Sequence, residues 1–139
     1  MERESYSSIF KLDKTDLIKL NYSKAKLNDS VAVQVNLKNK ISPKKNVIKV
    51  TGILKLSSDA KNIACEIEVE SIFRKNSSKD TVELSSFDDL SEEEKSYFIL
   101  PAVSKACLIL ANMTDESLRN PLILSPQQIT ENIIKKDPS

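Results

Sequence analysis

Apolar and polar positions alternate with a period of two through much of the first half of the chain. The cleanest run is Val31, Val33, Val35 and Leu37, interleaved with Ala32, Gln34, Asn36 and Lys38. Side chains of a strand point alternately to opposite faces, so this spacing predicts a strand with one apolar face. Ile41–Asn46 carries Pro43, which cannot donate to a ladder, and reads as a turn. A further strand follows from Val47 to Leu56, with Ile48, Val50, Gly52, Leu54 and Leu56 on one face. After a turn at Ser57–Asn62, the strand Ile63–Arg74 places Ile63, Cys65, Ile67, Val69, Ser71 and Phe73 on its inner face and Glu66, Glu68 and Glu70 on its outer one. Upstream, between Ile9 and Leu27, the pattern is mixed, and only Ile18, Leu20 and Tyr22 alternate clearly enough to predict a strand. Consecutive strands with one apolar face form an antiparallel meander, and that face needs a cover.

The second half of the chain changes period. Ser91 with Glu94 three residues on fits a capping box, so either a helical turn begins there or the acidic stretch is a solvated loop. Tyr97–Met113 is the longest apolar run. Pro101 is tolerated in a first helical turn, which predicts a helix from about Pro101 to Met113. Its stripe is Ala102, Val103, Ala106, Cys107, Leu110 and Met113, broadened by Leu108 and Ile109. A helix apolar over more than half its circumference asks for two packing partners: the sheet and a second subunit. Leu122–Leu124 reads as extended. Ser125, with Pro126 and Gln128 behind it, caps a last helix that presents Ile129 and Ile133. Residues 1–8 are expected to be a loose arm and 135–139 a loose tail around a single domain spanning 1–139.

Composition narrows the chemistry. Lysine plus arginine (21) nearly balance aspartate plus glutamate (20), which speaks against a dedicated nucleic-acid surface. Lys38, Lys40, Lys44 and Lys45 read as solvated strand ends and a turn. There is no histidine and one glycine, which removes the commonest metal ligand and any phosphate-cradling glycine loop. Cys65 and Cys107 lack metal-ligand spacing and behave as small buried hydrophobes, consistent with a reduced, cytoplasmic setting. No metal, cofactor or enzymatic activity is expected. Nor is a membrane anchor: Tyr97–Met113 contains Pro101, Ser104 and Lys105 and falls short of the roughly 20 apolar residues a spanning helix needs.

Three stretches, in order, resemble the SecB export-chaperone family: CEIEVESIF (Cys65–Phe73), YFILPAVSKACLIL (Tyr97–Leu110) and PLILSPQQI (Pro121–Ile129). The resemblance implies an α+β fold, a four-stranded antiparallel sheet with helices packed on one face. It also implies a homotetramer built as a dimer of dimers, and an ATP-independent holdase for non-native polypeptides. Such proteins serve protein export by handing precursors to the SecA motor, protect an antitoxin in toxin–antitoxin systems, or act alone. Of the acidic positions with which export members meet SecA, only Glu66 has a counterpart; the first-strand positions read Leu20, Asn21 and Lys24. The expected client groove comprises Phe73, Tyr97, Phe98, Leu100, Leu122, Ile123 and Leu124, and the expected oligomer interface Val103, Cys107 and Leu110. Ordinary core packing is the competing reading for each of these. The alternative function is a non-enzymatic oligomeric adaptor that meets one folded partner through the charged outer face of the sheet.

Overall fold

A computed structural model describes residues 6–22, 32–44, 46–59, 62–75, 84, 86–117 and 123–136. A short helix α1 (Tyr6–Ile9) leads into four strands, β1 (Phe10–Tyr22), β2 (Ala32–Ile41), β3 (Val47–Asp59) and β4 (Asn62–Lys75). A 3-10 turn at Phe87–Asp89 and the helices α2 (Glu92–Ser117) and α3 (Pro126–Lys136) complete the order. The strands form one antiparallel sheet in the order β1-β4-β3-β2. The fold is therefore α+β, with α2 laid across one sheet face.

Burial follows the period-two pattern. Ile48, Val50, Leu54 and Leu56 of β3 and Cys65, Ile67, Val69 and Phe73 of β4 are all buried beneath α2. From the helix, Phe98, Ile99, Ala102, Val103, Ala106, Cys107 and Leu110 descend onto them. Gly52 lies under Ala102: a Cβ built on it would stand 3.6 Å from the Ala102 Cβ. This pair of small residues lets the helix settle close to the sheet. The β2–β3 turn is tied by Ser42, whose Oγ accepts from the backbone N–H of Asn46 (3.2 Å) and Val47 (3.1 Å).

β3 and β4 run into the turn expected at Ser57–Asn62, to Asp59 and from Asn62, and α3 runs through Lys136 into the tail expected to be loose from residue 135. Three further elements differ from the sequence expectation. Strand β1 is 13 residues long and begins at Phe10, well before the clear alternation. Register shifts between Leu12 and Lys14 and between Leu17 and Lys19 break the period, which hides the strand from a pattern search. The second difference is α2, which is one helix of 26 residues with Pro101 inside it. It starts where the capping box predicts: Ser91 Oγ accepts from the Glu94 N–H (3.2 Å) and three glutamates occupy the first turn. An internal proline costs about 3 kcal/mol. Burial of Phe98 and Ile99 ahead of it offsets that cost, at roughly 1.5–3 kcal/mol per side chain. The third is at the start of the chain: Tyr6 and Ile9 are buried, so the segment from Tyr6 onward is docked and not a loose arm.

Candidate functional site

The described residues leave two stretches of the helix-side sheet face without full cover, one at each edge strand. At the β2 edge, Val35 and Leu37 continue the apolar face of β3, but α3 rests mainly on α2 and touches β2 only lightly. The result is a groove between edge strand and helix. One part is a cavity of about 320 Å³ whose apolar lining includes Val35, Leu37, Phe87, Ile99, Ile133 and Ile134, with the charged Lys38, Asp88 and Lys95 also bordering it. A second part of about 210 Å³ shares Val35 and Ile133 and extends to Val33, Leu124 and Ile129. Five successive β2 residues, Val35 to Asn39, border the first cavity, so the strand's own backbone edge forms its rim. No described strand pairs with that edge. Backbone N–H and C=O groups on the free side of an edge strand are open to an added strand.

The helix α3 holds its wall of the groove by local capping. Ser125 Oγ accepts from the Gln128 N–H (3.2 Å), and Thr130 Oγ1 donates to the Pro126 carbonyl (2.7 Å). These bonds fix the turn that projects Ile129 and Ile133 toward β2. Sequence reasoning found the cap and the apolar pair on α3, and found the apolar face of β2. It missed that the two face one another across an open gap, because that depends on how far α3 leans from the sheet edge.

At the other edge, Leu12, Leu17 and Leu20 of β1 lie on the helix side of the sheet, opposite Phe73, Val69 and Ile67 of β4. They remain about two-fifths exposed because α2 covers β3 and β4 more fully than β1. Leu108 of α2 is exposed as well. Two bonds bind the helix to this strand: Tyr97 Oη donates to the Phe10 carbonyl (3.0 Å) and Lys105 Nζ to the Thr15 carbonyl (2.7 Å).

The residues singled out from the sequence fall in different places. Phe73 and Phe98 are fully enclosed, with ring centroids 4.7 Å apart in an edge-on arrangement. Tyr97 lies against both, at 5.6 and 5.1 Å. Burial pushes its hydroxyl pKa up, partly offset by the backbone of Leu12. Leu100 is half-buried on α2. Leu122 lies outside the described residues. Ile123 is 76% exposed, and its neighbour Leu124 reaches the groove. Val103, Cys107 and Leu110 are buried between α2 and the sheet of the same chain. Both thiols, Cys65 and Cys107, are free, and burial raises each pKa to about 11. Glu66 is on the outer sheet face, 3.3 Å from Lys19 Nζ. By length and composition Glu92–Met113 would reach across a bilayer, further than the sequence alone implied because the helix starts before Tyr97. Its inner stripe, however, lies on the sheet. Among the described residues no group of histidine, cysteine and acidic side chains could hold a metal ion.

Neither a protein-family profile nor any curated sequence matches this chain. Solved structures do. A SecB-like chaperone of Mycobacterium tuberculosis, solved in complex with a ChAD peptide from the HigA1 antitoxin, superimposes with a TM-score of 0.60 at 10% identity, covering 86% of this chain and 91% of that one. A protein of unknown function from Streptococcus agalactiae gives a TM-score of 0.52 at 9% identity, covering 84% of this chain and 98% of its own. The four-stranded α+β fold is thus similar to that of a SecB-like chaperone, and at 10% identity the likeness shows the fold alone.

Proposed function

We propose that this protein is an ATP-independent chaperone that holds non-native polypeptide in an extended form along the groove between β2 and α3. The observation that carries the reading is the groove itself: an apolar floor of Val35, Leu37 and Ile133 beside a strand edge with which no described strand pairs. A holdase needs no catalytic group. It needs apolar surface to take up side chains and backbone partners to hold a main chain whatever its sequence. Leu124 and exposed Ile123 extend the groove at one end. Phe73, Tyr97, Phe98 and Leu100 are assigned to the support and margin of the site, and Leu122 is kept as a proposed client contact only from its place beside Ile123 in the sequence.

The chaperone of similar fold was solved with an antitoxin peptide, which favours an antitoxin or another aggregation-prone protein as client over hand-off to SecA. Glu66 is engaged by Lys19, and is the single residue here that we assign to a motor contact. The setting we infer is the cytoplasm. We further propose a homo-oligomer, dimer or tetramer, assembled through the β1 strip of Leu12, Leu17, Leu20 and Leu108, with Val103, Cys107 and Leu110 bracing that side of α2 from beneath.

The test is suppression of aggregation. An unfolded client diluted into buffer with an equal amount of this protein is expected to scatter much less light than alone, without ATP. Val35→Asp with Ile133→Asp, half-buried positions on facing walls, is expected to remove most of the protection while the circular dichroism of the fold is kept. Undiminished scattering with the unaltered protein would sink the chaperone reading.

A further inference from the structure

The outer face of the sheet, away from the helices, carries its charges in columns. In β4 the outward residues Glu66, Glu68 and Glu70 form an acidic column. Beside it, β3 presents Lys49 and Lys55, and the register sets Lys55 opposite Glu66. On the other flank, β1 brings Lys19, which reaches Glu66 at 3.3 Å. Basic sits next to acidic at these positions; the exception is Asp16 of β1, which stands opposite Glu70 and is paired with Lys14 of its own strand (3.5 Å). The sequence of columns breaks at β2. Its outward residues are Gln34, Asn36, Lys38 and Lys40, and Lys40 stands directly opposite Lys49 of β3. Like charges facing one another across a sheet are unfavourable. No ion pair among the described residues involves Lys38, Lys40 or Lys49.

This unneutralised edge is also the rim of the apolar groove, since Lys38 lies within the run of β2 residues bordering the cavity. A chain laid along β2 meets two different surfaces. Every second side chain enters the groove among Val35, Leu37 and Ile133, and the others come out on the outer face beside Lys38 and Lys40. We infer that the free edge of β2 takes up, as a fifth strand, an extended client segment in which apolar residues alternate with acidic ones. The chain contains such a strand already: β4, read Cys65-Glu66-Ile67-Glu68-Val69-Glu70, is what β3 accepts on its other side. A second copy of this protein fits less well, because the outward side chains of β2 are Ala32, Gln34, Asn36, Lys38 and Lys40, none of which could neutralise Lys38 and Lys40. An acidic strand supplies that charge.

The inference rests on the reading of the groove as a polypeptide site, and the experiment separates the two. Three end-capped, dye-labelled peptides of about eight residues alternate valine with glutamate, glutamine or lysine, and binding is followed by fluorescence anisotropy. The valine–glutamate peptide is expected to bind about tenfold or more tighter than the valine–lysine peptide at low salt, with the gap narrowing as salt screens the charges. Lys38→Glu with Lys40→Glu is expected to reverse the order, and Lys38→Gln with Lys40→Gln to level it; both lysines are exposed, so the fold tolerates either change. Equal binding of all three peptides would overturn the charge preference and leave the groove reading standing. Binding of none would overturn both. A sedimentation coefficient that rises with concentration while every peptide is displaced in parallel would show the edge filled by a second copy, and would overturn the inference too.

Discussion

Phe98 meets the other three phenylalanines and Tyr97: Phe10 at 6.3 Å, Phe73 at 4.7 Å, Phe87 at 6.2 Å and Tyr97 at 5.1 Å between ring centroids. It therefore joins β1, β4, the 3-10 turn and α2 at one point. Phe98→Ala is expected to cost about 3–5 kcal/mol in urea unfolding; a loss below 1 kcal/mol would mean the cluster is not the centre of the core. The cysteines make a second residue-scale prediction. Burial raises each thiol from 9.0 to about 11, so the folded chain holds both as neutral thiols. Their contribution to stability is complete below about pH 9 and is lost as pH rises toward 11, because the unfolded chain ionises first. The drop in urea midpoint over that range is expected to be smaller in Cys65→Ala with Cys107→Ala than in the unaltered protein. Both thiols should also react with a thiol reagent at pH 8 only after unfolding.

At the scale of elements, α2 is governed by two small decisions. Ala102 over Gly52 sets its height above the sheet, with 3.6 Å left for a Cβ. Gly52→Ala is expected to be neutral or stabilising by about 0.5 kcal/mol, since a strand glycine carries excess chain entropy. Gly52→Leu is expected to lift the helix and to lower the melting temperature sharply; equal melting of the two would contradict the close approach. Pro101 leaves the Tyr97 carbonyl without its usual helical donor. Elements with unbroken periodicity, β2, β3, β4 and the α3 cap, were legible in the sequence, as was the apolar stripe of α2. The N-terminal half of β1 was hidden by its register shifts, and the first turns of α2 by a proline that local preference sets at a helix start. In both cases tertiary burial outweighs the local signal. The groove was legible only as two separate apolar faces, because its width is a property of their packing.

At the scale of the whole molecule, α2 covers the middle of a four-stranded sheet and leaves an apolar margin along each edge strand. The margins differ in character. The β1 strip is a set of exposed leucines suited to a flat partner, whereas the β2 margin is a groove with a free backbone edge. Leu17→Asp with Leu20→Asp is expected to shift the protein to monomer in light scattering while leaving polypeptide binding at the opposite edge. A monomer before any substitution would refute assembly through β1. The central claim is that polypeptide binds along β2 and α3, and amide chemical-shift mapping tests it most directly. On addition of an unfolded client to isotope-labelled protein, the largest changes are expected at residues 35–39 and at Ile129 and Ile133, with the mid-β4 amides still. Changes centred on β1, or spread evenly over the sheet, would contradict it.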